Sequence, residues 1–329
     1  MTQFYQPSNR FSAGGVALYL LGGIAAAAVL ALAYVYAVWY IPLIYVNFLA
    51  TIGFGLVLGV VLSRLVKAGK LRNPRLAGGL GLLVGLMAEY IQWAVYLTLI
   101  INTTDVNEFG SGARQMSIAS TSFSPDVFLT ILAHPGGMFS VMSELAGTGS
   151  WSIFGIQVSG IFLVAVWLIE AAIIVAMPAL SAHTAAQAPF SEQCGEWAQE
   201  EAMTRRAPML TNADEAATAL LGAELYPLPH NADPVFCRLK LYATPNDTNC
   251  RFASLEQVRI EVDNKGKESE KTSDLLSYLA LSPEAYETLR ERFSAPLPDM
   301  AEAVTAEEQE LPQEGQSTEP SVAAQPQTA

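Results

Sequence analysis

Two glutamates stand where this chain can least accommodate a charge. Glu89 lies in an otherwise apolar run ending at Ile101, and Glu170 lies in another, Val158 to Leu180. Neither run holds a Lys or Arg to pair with them. Ionisable side chains at the depth of a bilayer core are costly and rare, and one found there is a functional hypothesis by default. An unpaired charge is so expensive in that setting that the neutral acid is the expected form. Counted from the ends remote from the basic stretch Arg64 to Arg75, both acids fall at about the same depth, so two chemistries stay open. They could share a proton or hold a cation, or they could serve as neutral hydrogen-bonding glue to Asn47, Thr51 or Gln92.

Other catalytic chemistry finds little footing. No Ser-His-Asp order, phosphate loop or nucleotide fingerprint is present, and Gly53-Phe54-Gly55 lies inside an apolar run, where glycine signifies packing. Cys194, Cys237 and Cys250 with His230 could nominally supply a Cys₃His zinc set. Ser191 stands where a CxxC partner of Cys194 would be, and the other spacings match no zinc ribbon, so neither metal nor cofactor is expected. Cys237 and Cys250 read instead as core residues on neighbouring strands. His134 and His183 are single and have no partner in sequence.

The glutamates belong to four apolar segments, at about 14–40, 41–66, 76–101 and 158–180, each long enough to cross a hydrocarbon core of roughly 30 Å as a helix. The first is too long for a signal-peptide core and reads as a retained helix. Trp39, Tyr40 and Tyr45 around Pro42 suit an interfacial aromatic belt. Along the second, Asn47, Thr51, Gly55, Gly59 and Ser63 recur every four residues and share a face. Gly81, Gly85, Glu89 and Gln92, at steps of four and three, share a matching face along the third. If these two form an antiparallel hairpin about Lys70, Gly59 meets Gly81, Gly55 meets Gly85 and Thr51 meets Glu89. That is the small-residue packing that bilayers favour.

The stretch between the second and third segments carries Arg64, Lys67, Lys70, Arg72 and Arg75, while the link before it carries no base. Both chain ends are therefore expected on the cytoplasmic side. Residues 102–157 form an outer loop in which Ser124-Pro125-Asp126 offers a helix start. Met138, Phe139, Met142 and Leu145 follow at helical spacing, as one or two short helices that cap the bundle or lie on the membrane surface, with a lid or a contact for an outer partner as the functional alternative. Pro178 is expected to end the fourth segment.

Residues 183–294 change period. A charged helical stretch opens at Pro189–Trp197, and Asn212 to Glu215 resembles a capping box before a helix over 216–225. Strands are expected at 236–243, 258–262 and 273–281, and Ser282-Pro283-Glu284 starts a last helix. Together these make a small cytoplasmic α+β module. Residues 295–329, with seven acids and no base, have the composition of a disordered tail. The predicted fold is thus an α-helical polytopic membrane protein with four transmembrane helices, a small α+β domain and an acidic tail.

Charge follows the same division. Through Ala182 there are 7 basic and 6 acidic residues, leaving 11 of the 18 basic and 25 of the 31 acidic residues beyond it. So acidic a module disfavours nucleic acid and anionic headgroups as its partners. The pattern Tyr40-Ile-Pro42, Asn47, Gly53-Phe-Gly55, Gly59, Lys70-x-Arg72-Asn73, Trp93, Trp151, Trp167 and Glu170 resembles a family of bacterial inner-membrane proteins that have four spans and an acidic cytoplasmic tail. The resemblance covers roughly residues 5 to 180, and it implies location and architecture without an activity. The functional expectation is a non-enzymatic membrane protein whose module at 190–294 docks a cytoplasmic protein, with a homo-oligomer as a further possibility. The rival expectation is a small oligomeric channel or proton-coupled transporter using Glu89 and Glu170.

Overall fold

Ser12 ends the N-terminal segment by capping the first helix, its side chain accepting from the Gly15 amide at 3.0 Å. The structure, a computed structural model, describes residues 3–41, 44–109, 116–149, 151–153, 156–229, 233–264 and 266–294. Pro42, His230 and the expected tail lie outside the described residues. Helix α1 (Ala13–Tyr40) buries Gly15, Tyr19, Gly23, Ala27, Ala31 and Tyr34, one face at three- to four-residue spacing. Helix α2 (Ile44–Ala68) follows, and helix α3 (Pro74–Ile101) starts with Asn73 as cap and Pro74 in its first turn.

Between α2 and α3 the chain closes with the Leu71 amide on the Val66 carbonyl and the Lys70 amide on that of Lys67. This is a Schellman ending, with Lys70 at φ +50 in the place usually given to glycine. The glycine is one residue earlier because Gly69 is pressed against α1, where a Cβ would meet the Gly15 carbonyl oxygen at 2.8 Å.

After α3 come a hairpin, β1 (Thr103–Phe109) with β2 (Met116–Thr121), two short helices, α4 (Pro125–Ala133) and α5 (Pro135–Thr148), and a second hairpin, β3 (Trp151–Ile153) with β4 (Ile156–Val158). The short helices cap the bundle. Phe128 and Leu132 pack on its main core, and Met138 is buried against Trp93 and Leu97. Helix α6 (Gly160–Ala185) completes a set of four helices long and apolar enough to cross a membrane. Pro178 lies inside α6 rather than at its end. Close packing on α3 supports the helix there, as neighbouring helices do for prolines in membrane spans.

The sequence pairs α2 with α3, and the structure does not. Helix α6 packs against both of them, α1 packs against both as well, and α2 and α3 share no extensive contact among the described residues. The two are diagonal in a four-helix arrangement, because their glycine faces both serve α6.

Beyond α6 the expected helical stretch at 189–197 is instead a tight hairpin, β5 (Phe190–Ser191) with β6 (Glu196–Trp197). Gly195 at φ +69 turns it, and Phe190 meets Trp197 edge-on at 5.0 Å. Helical periodicity yields here to a glycine turn and a cross-strand aromatic pair. Strands β7 (Gln199–Ala202), β8 (Val235–Thr244), β9 (Asp247–Val262) and β10 (Glu268–Ala280) form one sheet in the order β10-β9-β8-β7, with α7 (Ala213–Leu221) and α8 (Pro283–Ser294) completing the fold. Its core holds Leu239, Leu241, Leu255, Leu279, Leu289 and Phe293, and Cys237 on β8 and Cys250 on β9 are buried as well. Phe236 and Tyr242 of β8 are also buried. The Arg206 guanidinium lies 4.0 Å over the Phe236 ring.

The chain divides into two compact units. One takes in residues 3–199 and 242–250, and the other residues 200–241 and 251–294. The division falls at Glu200 rather than at residue 183, because the β5–β6 hairpin is bonded to the helical unit.

Candidate functional site: an acid pair between helices and a basic end

Glu89, Gln92 and Trp93 lie within one turn of α3, which lets one carboxylate oxygen serve both neighbours. Glu89 Oε1 accepts from Trp93 Nε1 at 2.9 Å and from Gln92 Nε2 at 3.2 Å. Glu89 Oε2 is buried and has no hydrogen-bond partner among the described residues. Glu170, on α6, is within electrostatic reach of Glu89, and Tyr34 of α1 is within reach of both. Trp93 packs edge-on against Trp167 of α6 at 4.8 Å and against Tyr96 at 5.7 Å. The acids therefore sit at an aromatic-lined α3–α6 interface.

Asn47 and Thr51 do not bond to Glu89, contrary to the hairpin expectation. Thr51 is fully buried and donates to the Asn47 carbonyl at 3.0 Å. With that proton committed, its 3.1 Å contact to Tyr34 has the tyrosine hydroxyl donating. Tyr34 thus stands between the α2 polar face and the two acids, a consequence of α1 bridging the diagonal helices. The Asn47 side-chain oxygen is buried without a partner among the described residues. Tyr34 and Trp93 escape a search for charged residues. Their signals are Tyr34's place on the buried stripe of α1 and the four-residue step from Glu89 to Trp93.

All four singled-out glycines face α6. A Cβ would lie 2.8 Å from Val175 Cα at Gly85 and 2.9 Å from Ala179 Cα at Gly81. It would lie 3.0 Å from Met177 Sδ at Gly55 and 2.6 Å from Ser181 Oγ at Gly59.

At the other end of the helices the N-terminal segment is laced to the α2–α3 turn. The Asn9 amide donates to the Arg72 carbonyl at 3.1 Å, and the Arg72 amide to the Arg10 carbonyl at 3.0 Å. Glu192 sits 2.5 Å from Arg72 and 3.5 Å from Arg10, and the Arg72 guanidinium lies 4.7 Å over Phe190. A hydrogen bond from Ser8, helped by Arg72 and Arg10, holds the Glu192 carboxyl below its ordinary range, against burial acting in the opposite direction. Trp197 Nε1 donates to the Lys67 carbonyl at 2.9 Å, and Ser191 Oγ donates to Asp247 Oδ2 at 2.5 Å. Burial pushes the Tyr5 phenol up to about 12, so it remains neutral.

No family model, curated protein or solved structure matches this chain. The site must be read from its own chemistry. Glu89 offers an oxygen held by two donors and a second that is buried with no partner among the described residues. A neutral Glu89 carries its proton on Oε2, the oxygen with nothing else to bond. Proton exchange between acid and carboxylate is what such an arrangement can do. Among the described residues no group of three or more His, Cys, Asp and Glu could hold a metal. The Cys237 thiol is pushed up by burial, and its sulfur accepts from the Leu210 amide at 3.3 Å, a structural setting rather than a reactive one.

Proposed function

We propose that this chain is a non-enzymatic multi-pass protein of a bacterial inner membrane, with both ends cytoplasmic, whose water-facing α+β module docks a protein partner. One observation carries the reading: the hairpin of β9 and β10 runs on past the core of its unit. From Glu268 to Asp274 every residue of β10 is exposed, and β10 is an edge of the sheet. A folded unit that extends an exposed strand beyond its own core offers a surface on which a partner can align. The orientation rests on the bases at the α2–α3 turn. Photocrosslinking from Thr272 in the full chain, in cells, tests the docking: a discrete heterologous adduct is expected, and its absence speaks against the reading. Reporter fusions test the topology, since a periplasm-active reporter joined after Lys70 would overturn it.

A second reading is favoured by a different observation, the unbonded Glu89 Oε2 close to Glu170. In it the bundle passes protons or small cations, as an oligomer. Proton flux in proteoliposomes that is lost in Glu89→Gln with folding retained supports it, because an amide cannot titrate. Flux that is absent in the unsubstituted protein removes it.

A further inference from the structure

Six bases gather at the end of the helical unit where α2 passes into α3: Arg10, Arg64, Lys67, Lys70, Arg72 and Arg75. Two of them are engaged, Arg10 and Arg72 with Glu192, and Arg72 also with the Phe190 ring. The remaining four, Arg64, Lys67, Lys70 and Arg75, are exposed, and none is within ion-pair distance of an acid among the described residues. We infer that these four cations hold the phosphates of anionic phospholipid headgroups. The inference goes beyond the docking reading and rests on its premise that α1, α2, α3 and α6 cross a bilayer.

Position chooses the ligand. At 1.5 Å per residue, Arg64 stands about 30 Å along α2 from Ile44, one hydrocarbon thickness, so Arg64 and the bases after it fall at headgroup level. Trp197, half-buried and bonded to the Lys67 carbonyl, adds at that level the amphipathic ring that membrane interfaces favour. The four charges do not converge on a buried polar pocket that would select a free anion. They are spread over exposed positions of two helices and a turn, an arrangement suited to several lipid phosphates.

Lys70 adds a second kind of observation. It occupies left-handed backbone, φ +50, at the closing position of a Schellman ending, where glycine would sit without strain. A lysine costs more than glycine at such a position, and it sets a charged side chain at the very end of the turn.

The test uses the full chain in mixed micelles containing phosphatidylglycerol and phosphatidylcholine, with retained lipid read by native mass spectrometry. Phosphatidylglycerol should be retained in preference, and added salt should erode the preference. Replacing Arg64, Lys67, Lys70 and Arg75 together by Gln should lower it by about tenfold or more, since each base at an anionic surface carries about 1 kcal/mol. Arg64→Lys with Arg75→Lys keeps the charge and should keep the preference, which separates a lost ligand from a damaged fold. Lys267→Gln with Lys271→Gln, in the other unit, should leave it unchanged. A preference that survives in the four-Gln chain overturns the inference. So does one that appears only when the seven acids beyond Ser294 are replaced by amides, because the chain's own acidic segment is then the occupant. Release of the protein from membranes by alkaline carbonate brings down the inference and the membrane reading together, whereas firm retention without lipid preference brings down the inference alone.

Discussion

Helix α6 meets its two glycine-bearing neighbours in different ways. Toward α3 the obstacle to a larger residue is backbone: the Cα atoms of Val175 and Ala179 stand 2.8 and 2.9 Å from where a Cβ at Gly85 and Gly81 would lie. Toward α2 the nearest obstacles are the ends of side chains, Met177 Sδ near Gly55 and Ser181 Oγ near Gly59, with the fixed atoms, the Ile173 carbonyl oxygen and Ser181 Cβ, no nearer than 3.1 Å. A thioether or hydroxyl can rotate away, and a Cα cannot. The same four-residue glycine spacing therefore differs in degree, a rigid seam on α3 closed by Cα atoms under 3.0 Å away and a more adjustable one on α2. The acids and tryptophans lie along the rigid seam, where their geometry is best fixed.

The sharpest way to break this comparison is to add one methyl group on the rigid side. Alanine is the better helix former by about 1 kcal/mol, so any net loss in Gly85→Ala or Gly81→Ala measures the clash. Overpacking against backbone should cost about 1–3 kcal/mol, seen as a lower melting temperature in detergent. If Gly85→Ala is as stable as the unsubstituted chain, the α3–α6 seam is not rigid.

Much of this seam was legible in the sequence, and its partner was not. The four-residue period identified the glycine faces of α2 and α3, because helix geometry turns spacing into a face. Which face meets which is a tertiary fact. Two glycine faces joined by a short basic turn invite pairing with each other, yet both are served by α6, about 75 residues or more further along the chain. Tyr34 was overlooked for the same reason, since it reaches the acids only because α1 sits between α2 and α3. The hairpins β1–β2 and β5–β6 were missed because their stability lies in pairing and turns that short-range periodicity does not record.

Next in size come the acids on the rigid seam. Glu89→Leu removes the acceptor of both Trp93 Nε1 and Gln92 Nε2 and should cost on the order of 1 kcal/mol, as interhelical and buried polar contacts in bilayers do. Glu89→Gln keeps an acceptor oxygen and should lose less. Equal losses in the two variants, by thermal unfolding in detergent, would mean that Oε1 does not anchor Trp93.

The adjustable seam should yield smaller numbers. The single Ser63 Oγ proton is shared between the Gly59 carbonyl at 2.9 Å and the Ser181 carbonyl of α6 at 3.1 Å. Ser63→Ala should therefore cost about 0.6 kcal/mol. Gly59→Ala should be nearly neutral, since the gain in helix propensity offsets the turning of Ser181. A Gly59→Ala loss as large as that of Gly85→Ala would erase the distinction between the two seams.

The smallest effect belongs to a third mode of attachment, ion pairing, which ties the N-terminal segment to the α2–α3 turn through Glu192. Its side chain is 38% exposed, so screening by solvent limits the pair with Arg72 to about 0.2–1 kcal/mol. The Glu192 carboxyl is held below its ordinary value by Ser8 first and by the two arginines after it. A carboxylate depressed in the folded state adds stability that is fully present above its unfolded value, near pH ~4.3, and is lost as pH falls through the lower folded value. Acidification should thus loosen the N-terminal strap before it disturbs either glycine seam, whose contacts are made by uncharged atoms. Hydrogen exchange reads this directly, because the amides of Asn9 and Arg72 are committed to strap bonds. Both should lose protection as pH drops below about 4, after correction for intrinsic exchange. Glu192→Gln should show the loosened rates already at neutral pH and no further step on acidification. Protection that stays constant through that window in the unsubstituted chain would mean that the strap is held by its backbone bonds and by the Arg72–Phe190 contact, with the Glu192 charge contributing nothing.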